Sequence, residues 1–117
     1  MKKTILLISI LFINIVVGCD KNEKITRLLK STDLNEVIEG AFLAGKSKNE
    51  KHVPLLLLNA NDWRTSTSFR FKGFSVYEEK MYALEQIYNI SPPKPIKSMP
   101  DSLIINFYDS IYKSRLK

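Results

Sequence analysis

The stretch that determines the fold runs over residues 33–58 and reads DLNEVIEGAFLAGKSKNEKHVPLLLL. Its first part repeats apolar residues every three or four positions, which is the spacing of one helix face: Leu34, Val37, Ile38, Ala41 and Phe42. Asp33 is a suitable N-cap, and Gly45 lies where a helix end favours a left-handed residue. Residues 46–51 then form a charged turn. Pro54 fits a first helical turn, so the sequence predicts a helical pair.

The four leucines at 55–58 are also compatible with a buried strand, but Pro54 before them and Asn-Ala-Asn-Asp after them favour a short buried helix. Small residues in the first helix would allow a second helix to approach it closely: Gly40, Ala41, Ala44 and Gly45. Before this pair, an apolar stripe predicts a short helix: Ile25, Leu28 and Leu29.

Two further helices are predicted beyond residue 74. Ser75 is a plausible cap for a helix with one apolar stripe: Tyr77, Met81, Leu84 and Tyr88. Three prolines, Pro92, Pro93 and Pro95, then impose an extended connector. A last helix begins near Pro100 or Asp101 and holds its apolar stripe for almost three turns: Leu103, Ile104, Phe107, Tyr108, Ile111 and Tyr112.

Segments 33–41, 43–45 and 53–58 together resemble one HEAT-like repeat of the PBS-lyase type. In that family, a helix that ends in a Leu-Gly type turn is followed by a helix that opens with Val-Pro and leucines. Residues 75–87 resemble the first helix of a next repeat, and the last helix would be its partner. The resemblance implies an all-α fold of short helical hairpins and a protein-binding scaffold rather than an enzyme.

The chain departs from this family at two places. Residues 77–81 read Tyr-Glu-Glu-Lys-Met where the repeat usually has Val-Arg-x-x-Ala, and residues 63–74 form an irregular or hairpin insertion. A stack of repeats needs about three units to bury a continuous core. The helix at 25–29, the last helix or a partner must therefore cover the open ends. Nothing in the chain marks a pigment site.

The amino terminus resembles a bacterial lipoprotein signal peptide that ends in a lipobox. Lys2 and Lys3 precede a short apolar run, which ends in Val-Val-Gly18-Cys19. The resemblance implies cleavage between Gly18 and Cys19 and lipid attachment at Cys19, so the protein would be anchored to a membrane of the cell envelope. An uncleaved anchor, or a secreted protein in which Cys19 is incidental, is the alternative. Inner and outer membrane are not distinguished.

These patterns divide the chain into a signal peptide (1–18), a polar tether (19–24) and a HEAT-like helical domain (25–117). Cleavage would remove Lys2 and Lys3, and with them two of the six excess positive charges. The remaining excess suits anionic lipid or an acidic partner and is also ordinary for solubility. No compact basic stripe indicates nucleic acid binding.

The residue types argue against several kinds of site. Cys19 is the only cysteine and His52 the only histidine, which excludes an internal disulfide and a multi-histidine metal site. We therefore expect no cofactor, no metal and no small-molecule substrate. The glutamates of the predicted helices are expected on solvated faces rather than in a catalytic pair: Glu36, Glu39, Glu78, Glu79 and Glu85.

The insertion is the best candidate for a binding site, because aromatic and cationic residues alternate in it. The candidate partner-binding residues are Trp63, Arg64, Phe69, Arg70, Phe71 and Lys72. If the segment is extended, its aromatics and cations lie on opposite faces, and the preceding Thr/Ser run supplies the other arm of a hairpin. Alternatively, Trp63, Phe69 and Phe71 cap the open end of the helical stack and the cations are merely solvated.

The sequence therefore predicts a membrane-anchored, non-enzymatic lipoprotein that binds a protein partner in the cell envelope. One form of this prediction is an immunity-type protein that neutralises an arriving toxin. The alternative is a structural or assembly lipoprotein of an envelope complex. A hydrolase ranks last, since it would require converging carboxylates in a deep pocket.

Overall fold

The computed structural model describes residues 21–116, and this part of the chain is all-α, as predicted. Its helices are α1 (residues 21–29), α2 (Leu34–Ser47), a 3-10 turn (Glu50–His52), α3 (Val53–Leu57), α4 (Val76–Tyr88) and α5 (Ser102–Arg115). Residues 21–116 contain no strand, only an isolated antiparallel bridge between Thr65 and Ser75. None of these helices is both long enough and apolar enough to cross a membrane.

The predicted signal peptide, with its cleavage site at Gly18 and Cys19, lies outside the described residues. Of the predicted tether at 19–24, residues 21–24 belong to α1.

The two predicted N-caps, Asp33 and Ser75, are confirmed, and Asp101 at the predicted start of the last helix is an N-cap as well. Asp33 accepts a hydrogen bond from the Asn35 backbone N–H at 2.8 Å, and Asp101 accepts one from the Leu103 N–H at 2.9 Å. Ser75 forms a capping box, in which its hydroxyl accepts from the Glu78 N–H and the Glu78 carboxylate accepts from the Ser75 N–H. These side chains satisfy backbone donors that a helix start leaves open, and so determine where α2, α4 and α5 begin.

Helices α2 and α4 pack against each other, and Gly45 lies at their contact. A Cβ atom at Gly45 would lie 3.1 Å from the Ala83 Cα of α4. The prediction that α2 ends at Gly45 is wrong: the helix continues to Ser47, and Lys48 adopts the left-handed conformation at φ 54°. The glycine is required by the neighbouring helix rather than by the end of its own.

The main core is formed by α4 together with the inward faces of the other helices. The predicted α4 stripe is buried, and α3 and α5 contribute Leu56, Ile104 and Tyr108. The Tyr108 hydroxyl donates to the Ile90 carbonyl at 2.9 Å, so this buried polar group is satisfied. A second, smaller cluster lies where α2 meets the insertion, and its buried members are Val37, Ile38, Phe71 and Val76.

The helices give the domain two distinct ends. At the end that we call proximal, the Asn22 side-chain oxygen lies 3.2 Å from His52 Nε2, and Arg115 pairs with Glu50 at 2.8 Å. The Arg115 guanidinium also lies over the ring of Tyr88, the last residue of α4, at 5.1 Å. The start of α1, the 3-10 turn and the carboxyl ends of α4 and α5 therefore meet there.

At the opposite end, which we call distal, the insertion is attached to the start of α4. The Val76 N–H donates to the Arg64 carbonyl at 2.9 Å, and the Tyr77 N–H donates to the Asp62 carbonyl at 2.8 Å. Because α4 contains 13 residues and a helix rises about 1.5 Å per residue, the two ends lie about 20 Å apart.

The contact between α1 and α2 gives a prediction for stability. A Cβ atom at Gly40 would lie 2.9 Å from Leu28 Cβ and 3.0 Å from the backbone nitrogen of Leu29. We expect Gly40→Ala to lower the free energy of unfolding by about 1 kcal/mol or more, because the clash outweighs the helix propensity gained. Urea denaturation measures this, with the exposed Lys24→Ala as control. A Gly40→Ala chain as stable as the control would contradict the close approach.

Candidate functional site

The insertion is an ordered loop rather than a pair of strands. The Ser66 N–H donates to the Phe74 carbonyl at 2.8 Å, and the Gly73 N–H donates back to the Ser66 carbonyl at 3.0 Å. Residues 69–73 form turns between these arms, and Gly73 takes a positive φ of 87° that favours glycine. The alternation of an aromatic face and a cationic face was expected only for an extended segment, and the chain instead forms turns at residues 69–73.

The three aromatics among the candidate residues have different surroundings. Phe71 is only 8% exposed, belongs to the second cluster and packs edge-on against Phe42 with ring centroids 5.6 Å apart. Trp63 is 69% exposed, and Phe69 is fully exposed. The interpretation that the aromatics cap the helical stack is thus correct for Phe71 and wrong for Trp63 and Phe69.

The cations of the loop also separate. The Arg70 guanidinium lies over the rings of Phe42 and Phe71, at 4.9 and 5.0 Å from their centroids, and 3.7 Å from the Glu39 carboxylate. Lys72 is exposed and forms no ion pair within residues 21–116. Arg70 therefore anchors the loop to α2, whereas Lys72 is available to a partner.

The Arg64 guanidinium is hydrogen-bonded to the Asp62 carboxylate, and we call this pair the clamp. Arg64 Nε donates to both carboxylate oxygens at 3.0 Å, Nη2 donates to Oδ2 at 2.7 Å, and Nη1 donates to the Thr32 carbonyl at 3.1 Å. The guanidinium lowers the pKa of Asp62, and the carboxylate raises the pKa of Arg64. The clamp ties the first arm of the loop to the α1–α2 connection. Of the six predicted residues, Trp63, Phe69 and Lys72 remain open to a partner, and we call them the exposed loop residues.

A pocket that the sequence did not indicate adjoins the loop, and we call it the Lys80 pocket. Its volume is about 400 Å³. It is lined by Leu29, Lys30, Ser31, Thr32, Val37, Leu55, Leu58, Asn59, Asp62, Arg64 and Lys80. Three of these residues are cationic and one is acidic, so the lining carries an excess of positive charge.

Lys80 is the unusual member of this lining, because its side chain is only 4% exposed. Its ammonium donates to the Leu58 carbonyl at 2.8 Å and approaches the Leu55 carbonyl at 3.5 Å, both at the end of α3. Burial lowers the pKa of Lys80 to about 8, although the carboxylate of Asp62 acts in the opposite direction. Arg64 lowers this pKa further.

The helical spacing contained a signal for this lysine. Tyr77, Lys80, Met81 and Leu84 recur at intervals of three and four, so Lys80 falls on the buried stripe of α4. Its neighbour Glu79 was predicted on a solvated face, and that prediction is wrong, because Glu79 is buried. Burial, with a contribution from Glu78, raises the pKa of Glu79 to about 7.

His52 and the possible metal ligands are the remaining groups of chemical interest. His52 is buried beside Asn22, and burial, together with the charge of Lys51, lowers its pKa, which favours the neutral ring. Within residues 21–116, no group of three or more histidine, cysteine or acidic side chains could hold a metal ion. Comparisons with protein-family models, with curated proteins and with solved structures return no match to this chain.

The depressed pKa of Lys80 gives a prediction about pH. Because the unfolded chain holds the proton up to about pH 10.5 and the folded chain releases it near pH 8, the free energy of unfolding rises with pH between these values. We expect a gain of about 2 kcal/mol between about pH 7 and pH 10. Urea denaturation at several pH values measures it.

Lys80→Met should abolish this rise, whereas Lys97→Met at an exposed position should keep it. The pH range of the measurement ends at about pH 10. Burial raises the pKa of Tyr77, Tyr88 and Tyr108 in the folded chain, so above that pH these tyrosines make the free energy of unfolding fall as the pH rises. Equal pH profiles for Lys80→Met and Lys97→Met would contradict the assignment.

Proposed function

We propose that this chain is a lipid-anchored, non-enzymatic protein of the bacterial cell envelope that binds a protein partner through its distal loop. One observation carries the proposal: an ordered loop holds Trp63 and Phe69 exposed to solvent. Large exposed aromatics on a fixed backbone lose little entropy on binding, and tryptophan is enriched among residues that dominate interface energies.

The direction of the chain supports this proposal. Cys19 precedes the first described residue by two positions, and an extended chain spans at most about 3.6 Å per residue. A lipid on Cys19 would therefore hold the proximal end near the membrane, since the distal end lies about 20 Å further along α4. The exposed loop residues would then face away from that membrane and toward a partner.

The arrangement of helices is compatible with the proposed HEAT-like architecture. Helix α2 lies beside α4, and α3 contacts α5, as expected when one helical pair stacks on another. In this interpretation α1 covers the open side of the first pair, where Leu28 and Leu29 contact Gly40. The loop between the pairs is then the segment that distinguishes this chain from a plain repeat.

Two forms of the function follow from the same surface. An immunity-type protein would use the distal loop to neutralise a toxin that enters the envelope. A structural or assembly lipoprotein would use it to join a larger complex. A stoichiometric complex with a toxin encoded nearby would identify the first form, and a complex with envelope components would identify the second.

Capture of the partner from crosslinked cells tests the proposal. We expect the lipidated Trp63→Ala/Phe69→Ala chain to recover at least about tenfold less partner, because two interface anchors are lost. Its free energy of unfolding should change by no more than about 0.5 kcal/mol, since both side chains are exposed. The matched control is Met99→Ala/Leu116→Ala, which removes two other strongly exposed apolar side chains elsewhere.

Equal capture by the loop variant and the parent chain would contradict the loop as binding surface, as would equal loss in the control. A Cys19→Ser chain separates the anchor from the binding. It should leave the membrane fraction and still capture the partner from a cell extract. If it remains with the membrane, lipid attachment at Cys19 is not the anchor.

A further inference from the structure

We propose that the Lys80 pocket is a ligand site for a carboxylate carried on a short apolar stem. This inference goes beyond the proposed function, because it assigns a chemical class of ligand to a cavity that the exposed loop residues do not line. The carboxylate has two possible sources, a free short-chain acid or an acidic side chain of a partner, and both present the same group to the pocket.

The charges of the lining favour an anion. Lys30, Arg64 and Lys80 contribute positive charge, and Asp62 is the single carboxylate in the lining. Both oxygens of Asp62 already accept hydrogen bonds from Arg64. Lys80 forms no ion pair within the described part of the chain. A buried ammonium without an ion-pair partner in contact is costly, and a ligand carboxylate would supply that partner.

The donors of Lys80 leave room for this contact. An ammonium has three N–H groups, and only the bond to the Leu58 carbonyl, at 2.8 Å, is short. The contact to the Leu55 carbonyl is 3.5 Å long. At least one donor is therefore free for an anion, and a charge-assisted bond to it would be stronger than a neutral one.

The apolar side chains of the pocket lining favour a ligand with an apolar stem. Four apolar side chains line the cavity: Leu29, Val37, Leu55 and Leu58. A volume of about 400 Å³ lies near the small end of the usual range for ligand pockets. An inorganic anion would leave the apolar walls uncovered, whereas a carboxylate with a few methylene groups would cover them and reach Lys80.

Capping of α3 accounts for the position of Lys80 but not for the open pocket in front of it. Asn59 follows α3 in the left-handed conformation, at φ 52°, and lines the same cavity as Lys80. Such a conformation is unusual for a residue other than glycine, and Asn tolerates it best. The local fold thus holds a desolvated cation at a cavity wall, which helix capping alone does not require.

Titration by nuclear magnetic resonance tests the site, with the full chain carrying Cys19→Ser at about pH 7 so that Lys80 is charged. Hexanoate should shift the signals of Asn59 and of the Lys80 side chain saturably, with a dissociation constant of about 1 mM. It should also raise the measured pKa of Lys80, because an anion favours the ammonium. Hexanol, which has the same stem without charge, should bind at least about tenfold more weakly.

Variants at the mouth of the pocket give a matched pair. Leu58 is 59% exposed, so Leu58→Glu and Leu58→Gln should both fold. Both variants lose one apolar wall of the pocket, but the new carboxylate in Leu58→Glu should also compete for Lys80. Leu58→Glu should therefore bind hexanoate at least about tenfold more weakly than Leu58→Gln. Lys80→Met should lose binding as well, and the Trp63→Ala/Phe69→Ala chain should retain it, which separates this site from the loop.

A third probe, N-acetylglutamate amide, distinguishes a free short-chain acid from an acidic side chain of a partner. Binding as tight as that of hexanoate indicates an acidic side chain, and weaker binding indicates a free short-chain acid. The proposal is overturned if hexanol and hexanoate bind alike, if Leu58→Glu and Leu58→Gln behave alike, or if no saturable shift occurs in the pocket.

Discussion

The close contact between α2 and α4 is the constraint on which the rest of the structure depends. Gly45 packs against Ala83 of α4, and a Cβ atom at position 45 would lie 3.1 Å from the Ala83 Cα, so a side chain there would require α4 to shift by a few tenths of an ångström. Since the loop is hydrogen-bonded to the first residues of α4, and Phe71 and Arg70 rest on Phe42 of α2, the same contact determines where the loop lies. A shift of α4 would move the loop, the Lys80 pocket and the core together.

The two ends of α4 lie beside different parts of the structure. The carboxyl end of α4 carries Tyr88 beside Arg115, near the start of α1, and its amino end carries Ser75 and the loop. Lys80 lies one turn inside that amino end, where it meets the carbonyls of α3. In the proposed function, one end of the helix adjoins the anchor and the other adjoins the partner, so attachment and recognition do not compete for the same surface.

Local patterns in the sequence were sufficient to predict the helices but not the conformation of the loop. Asp33, Ser75 and Asp101 act within their own first turns, so their roles could be predicted without any neighbour. The burial of Phe71 and the exposure of Phe69 depend on which ring packs against Phe42, and that contact is made only by the tertiary fold. The prediction that α2 ends at Gly45 is wrong for the same reason, because the role of Gly45 depends on its contact with α4. Lys80 could have been found, because its spacing from Tyr77 and Leu84 places it on the buried stripe.

The two-ended arrangement relative to a membrane is the central claim, and paramagnetic broadening tests it most directly. The lipidated chain would be placed in lipid nanodiscs whose headgroups carry a nitroxide, and the backbone amide signals would be followed. We expect strong broadening at Asn22 and Lys51 of the proximal end and little at Phe69 and Lys72, about 20 Å further along α4. Equal broadening at both ends, or stronger broadening in the loop, would contradict it.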